Sequence, residues 1–133
     1  MDHIKGQSLV ALVILVGTVA VLIGTTLAFL ASSFVDSSYG YSALVQADAA
    51  ATAGAQDALL QLDRNVAFSS VGGYTVPVGS STATVTVTPS STAGCATIVS
   101  VATVSHRTRK ISAVVSVSTT TDQAYIVSWQ TIQ

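Results

Sequence analysis

The chain has 133 residues, of which half are hydrophobic and 8% charged, with a formal net charge of −1. That charge makes no global electrostatic case for nucleic acid or an anionic membrane as partner, and so few charges are unusual in a freely soluble protein. Every acid is Asp, and the single Cys95 cannot form an internal disulfide.

The first six residues, MDHIKG, form a short leader with Lys5 as its one fixed positive charge and Gly6 at its end. Residues 7–34, QSLVALVILVGTVAVLIGTTLAFLASSF, then carry neither charge nor proline. This run exceeds the roughly 20 apolar residues that a membrane-crossing helix needs. In lipid the backbone must satisfy its own hydrogen bonds, so the run is expected to be helical. Ala20, Gly24 and Ala28 recur at four-residue spacing, with Gly17 on the same side, a face on which a second helix can approach closely. A secretory signal has a shorter apolar core, of about 7–15 residues, with its cleavage site at the far end. Here the punctuation lies before the run.

A short basic leader ending in glycine, then a polar residue and a long apolar helix, resembles the type IV pilin and type II secretion pseudopilin family. The resemblance implies that a prepilin peptidase cuts between Gly6 and Gln7 and methylates the new amine. It also implies a subunit that sits in the cytoplasmic membrane and is then built, through its N-terminal helix, into an extracellular filament with other pilins by an assembly machinery. No cofactor is implied. One position departs from the family, where the fifth mature residue is usually glutamate and serves the amine of a neighbouring subunit; this chain has Ala11. An unpaired buried charge is costly, so the departure points within the family to a minor or tip subunit. The alternative is an uncleaved, single-pass anchor displaying a surface binding module.

Beyond the run, 36–65 is expected to continue the helix. SSYGY at 37–41 is a polar–aromatic interruption of the kind found at membrane interfaces, and Gly40 is a candidate kink. From residue 42 the chain is rich in good helix formers, and Leu44, Ala47, Ala51, Ala55, Ala58 and Leu62 share one face. Asp48, Thr52, Gln56 and Asp63 lie largely on the other. The alanine face, with Gly54 beside it, suits close packing against a sheet. Asn65 is a candidate left-handed C-cap, with Arg64 well placed against the helix dipole. Ala53, Gly54, Asp57, Ala58 and Leu59 also match an alanine-rich pattern common at this point in minor-pilin-like proteins.

The remaining residues, 66–133, suffice for one small β-sheet domain. VGGY at 71–74 reads as a turn, and 74–78 as a short strand that Pro77 places at an edge. TATVTVT at 82–88 alternates with period two, the mark of a half-buried strand. Further strands are expected at 97–104 and 111–118, joined through SHRTRK at 105–110. A last strand at 124–131 is expected to put Tyr125, Val127 and Trp129 on one face, with Trp129 packed beneath the sheet against the helix. Four or five strands with tight connections imply antiparallel pairing. The fold class is therefore α+β: a long N-terminal helix packed on a small antiparallel sheet.

Candidate chemistry is sparse. His3 lies in the leader, which leaves His106 as the one histidine of the mature chain. No His, Cys or acidic pair has metal-ligand spacing, no glycine-rich phosphate loop occurs, and no serine sits in a nucleophile-elbow motif. Asp122 has too few acidic neighbours for a calcium loop. These absences argue against an enzyme. His106, Arg107, Arg109 and Lys110 form the one basic cluster and are a candidate surface contact, while the lack of stacking aromatics beside them disfavours nucleic acid. The plainer reading is a solvated hairpin end whose charges protect a strand edge.

Overall fold

The computed structural model describes residues 3–90, 94–118, 120–121 and 123–132, with 3–7 as backbone alone. One helix, α1 (His3–Arg64), is followed by five strands: β1 (Ser70–Val78), β2 (Ser81–Pro89), β3 (Cys95–Val104), β4 (Arg107–Ser118) and β5 (Gln123–Ile132). The strands form one antiparallel sheet in sequence order. The chain divides into two compact units, Met1–Tyr39 and Gly40–Gln133.

In the first unit the described side chains of α1 are exposed on every side. Four of its hydroxyls turn inward to their own backbone. The hydroxyls of Thr18, Thr25 and Thr26 donate to the carbonyls of Leu15, Val21 and Leu22, and Ser37 donates to Ser33. Such bonds give these four hydroxyl protons an acceptor within the helix itself. From Ser8 onward the helix is long and apolar enough to cross a membrane, with a peak mean hydropathy of 2.5.

The second unit is an α+β sandwich of one helix on one sheet. Ala47, Ala51, Ala55, Ala58 and Leu62 are buried, as their spacing predicts, together with Ala43, Ala50 and Gly54, whereas Leu44 is half-buried. Across from them lie Ala83, Val85 and Val87 of β2, Ala96, Ile98, Ser100 and Ala102 of β3, and Ile111, Ala113, Val115 and Val117 of β4. Alternation along each strand sends Thr84, Thr86 and Thr88 to the opposite face. The core is thin because alanines, not leucines, fill the helix side. Gly54 sits within that face rather than beside it.

Several local expectations are corrected. Gly40 produces no break: α1 runs through it, since one glycine costs a helix only about 1 kcal/mol. Asn65 is not a left-handed cap, because the only non-glycine residues with positive φ among those described are Ser105 and His106. Its side chain instead accepts from the Ala67 N–H at 3.1 Å, and its carbonyl from Phe68 at 2.9 Å, turning the chain out of the helix. The 71–74 segment lies inside β1 as an irregularity: Ser70 pairs with Val87 and Tyr74 with Val85, and Gly73 takes φ 76°. Pro77 is on an edge strand, as expected.

The largest correction concerns β5. A bulge between its pairings to Val114 and Val115 leaves Val127 without a partner, so Trp129 pairs with Ala113 while Tyr125 pairs with Ser116. Paired residues share a face, so Tyr125 and Trp129 lie on opposite sides of the sheet. Trp129 does face the helix side, but on the outermost strand, where it remains 38% exposed instead of buried.

Candidate functional site

Two surfaces stand out, one in each unit. In the first, Gly17, Ala20, Gly24 and Ala28 fall within an arc of about 80° at 3.6 residues per turn. A Cβ added to Gly17 or Gly24 would meet nothing within 4 Å. These glycines make no close contact within the chain, so their smallness is free to serve a second helix. Ala11 is exposed on the same helix, and no acid occurs between Gln7 and Val35. Gly6 is helical in backbone; Gln7 is too, and its side chain lies outside the described residues, as does Asp122.

In the second unit the basic cluster is divided by the sheet. The link between β3 and β4 is only Ser105–His106, with φ of 46° and 65°, and Val104 pairs directly with Arg107. Two successive positive φ values are the geometry of a tight hairpin turn whose twist matches the strands. The expected loop at 105–110 is therefore two residues long, and Arg107–Lys110 belongs to β4. Alternation then places Arg107 and Arg109 on the helix side, opposite Val104 and the buried Ala102, and Lys110 on the other. A Cβ on Gly40 would lie 3.4 Å from Nη2 of Arg107, so that guanidinium rests on the helix backbone. Arg109 lines a cavity of about 400 Å³ with Tyr41, Leu44, Val45, Asp48 and Thr131. Its Nε is buried without a hydrogen-bond partner.

Elsewhere the helix and sheet are tied by the Tyr74 hydroxyl, which donates to Asp57 Oδ2 at 2.9 Å, while the Tyr74 ring meets Phe68 edge-on at 6.0 Å. Burial pushes the Tyr74 phenol well above its ordinary range, and the hydrogen bond to Asp57 and that carboxylate's charge add to the effect. Cys95 is half-buried beside Ser90, Gly94 and Val117 at the far end of the sheet. Among the described residues no three His, Cys, Asp or Glu side chains gather in a metal-binding group.

What the sequence reading missed is apolar exposure on β5. Ile126 pairs with Val115 and so faces the helix side, where it lines a groove with Gln56, Leu59, Leu60 and Asp63. The absence of any charge from 123 to 133 was the available signal. No protein-family model matches this chain, nor does any curated protein or solved structure.

Proposed function

We propose that the chain is a pilin-like structural subunit, cleaved after Gly6 and assembled through its N-terminal helix into a filament of the type IV pilus or pseudopilus kind. The observation that carries this reading is the division of labour along α1. Its first half is apolar on every face and exposed, and its second half buries an alanine face under a five-stranded sheet. A helix that only anchored a domain would need no stripe at Gly17, Ala20, Gly24 and Ala28, whereas a helix that leaves lipid to pack on copies of itself gains from one. The membrane holds the subunit before assembly, and the filament carries it outside the cell.

Mass spectrometry of the protein isolated from its host membranes tests the proposal. A chain beginning at an N-methylated Gln7 is expected. A chain that retains Met1 would make it an anchored surface module instead.

A further inference from the structure

We infer that Asp36 is the counter-ion for the N-terminal amine of a second copy of this chain, and that the pair sets the stagger of two packed α1 helices at about 44 Å. Cleavage after Gly6, as proposed above, is presupposed; the acid, the register and the partner are what is added.

Cleavage would leave residues 7–39 of the first unit with two charged groups, the new ammonium of Gln7 and the Asp36 carboxylate, and residues 8–35 between them carry no charge. Methylation of an amine keeps its charge. Neither group has a partner along its own helix. No Lys or Arg occurs between Lys5 and Arg64, whereas helical ion pairs form only three or four residues apart. The Asp36 side chain is exposed and makes no hydrogen bond or ion pair with any described residue. The two charges of one copy cannot reach each other either. Gln7 and Asp36 are 29 residues apart in the unbroken α1, a rise of about 44 Å. They can meet only between copies.

The helix geometry suits that meeting. At 3.6 residues per turn, this separation amounts to eight turns and about 20°, so both groups lie on one face. Ala11, about one turn beyond Gln7, falls within about 20° of Asp36 as well. Its exposed methyl leaves room beside the amine. Gly24, in the middle of the small-residue stripe, is about a third of a turn away from Asp36. Each helix thus has one face for close packing and another for the charge pair. The same separation matches the membrane, since a bilayer with its headgroups is about 40–45 Å thick. A subunit raised by that distance has its amine clear of the hydrocarbon, at the height of Asp36 in a copy still inserted.

Charge complementarity selects the partner. Either charge left alone among apolar helices is costly, and their attraction is strong where the dielectric is low. The pair also removes the reason that Ala11 gives for a tip position, because a subunit in the body of the filament carries its acid at 36.

The test uses filaments isolated from the host. Carbodiimide joins an amine to a carboxylate only where the two touch, and mass spectrometry of the digest is expected to show the N-methylated Gln7 peptide bonded to the Asp36 peptide. Asp36→Asn should lose this cross-link and lower filament yield at least about tenfold, with the cleaved chain still present in the membrane. Asp36→Glu should retain both. Filaments at wild-type yield from Asp36→Asn, or a Gln7 amine that cross-links to another carboxylate or to none, overturn the inference and leave the proposed function intact. A chain that retains Met1 overturns both.

Discussion

A Cβ built on Gly54 would stand 2.6 Å from the hydroxyl of Ser100, with Ala83 Cβ at 2.8 Å and Val85 Cγ2 at 2.9 Å. The helix therefore rests on the sheet through a residue with no side chain, over a buried hydroxyl that has no hydrogen-bond partner. Alanine at 54 improves helix propensity by about 1 kcal/mol, but the Cβ contacts with Ala83 and Val85 force the layers apart. Gly54→Ala is expected to destabilise the fold by about 1–3 kcal/mol net. Ser100→Ala, which removes the unsatisfied hydroxyl, should be neutral or stabilising. In the double variant part of the loss at 54 should be recovered, and a double-mutant cycle by chemical denaturation measures that coupling. Strict additivity would show that Ser100 is not the residue Gly54 accommodates.

Burial of the Tyr74 phenol, reinforced by its hydrogen bond to Asp57, predicts an alkaline limit to stability. The folded phenol titrates above its unfolded value of about 10, so the native state holds the proton more tightly. Its contribution is complete below about pH 10 and is lost as pH rises from there towards the higher folded value. Tyr74→Phe should cost about 1–2 kcal/mol at neutral pH, and the gap between the two proteins should narrow above pH 10. Urea midpoints of both proteins at pH 8 and pH 10.5 read this directly; a constant gap would mean that the folded phenol is not held above its unfolded value.

Trp129 offers a test of the β5 bulge. Were it enclosed beneath the sheet, its replacement by alanine would cost about 3–5 kcal/mol. On the outer strand, 38% exposed, it should cost about 1–2 kcal/mol. Thermal or chemical unfolding of Trp129→Ala separates the two, and the larger loss would place the indole in the core after all.

Gly24→Leu separates assembly from folding. Nothing lies within 4 Å of a Cβ at this position, so leucine fits the isolated chain, and unfolding of the β-domain should change by less than about 0.5 kcal/mol. Filaments, or detergent-resistant oligomers, should be lost, because an isobutyl group holds two backbones apart. Normal filaments from this variant would show that the stripe faces solvent or lipid.

Much of this architecture was legible in the residues because it is periodic. An uncharged run longer than a bilayer is thick, alanines at three- and four-residue spacing, and Thr–Val alternation at 82–88 each determine an element through local physics alone. The helix through residue 64, the antiparallel sheet and the edge position of Pro77 follow from such patterns. Tertiary structure decided what depends on register. One unpartnered residue, Val127, reverses which face each later side chain of β5 takes, and no local signal marks it. The two-residue turn at Ser105–His106 lacks the usual Gly or Asn, so its tightness reflects the pairing of Val104 with Arg107. That pairing in turn divides Arg107 and Arg109 from Lys110. Gly54 read as one more small residue on a helix; only the sheet behind it shows that its missing side chain sets the distance between the layers.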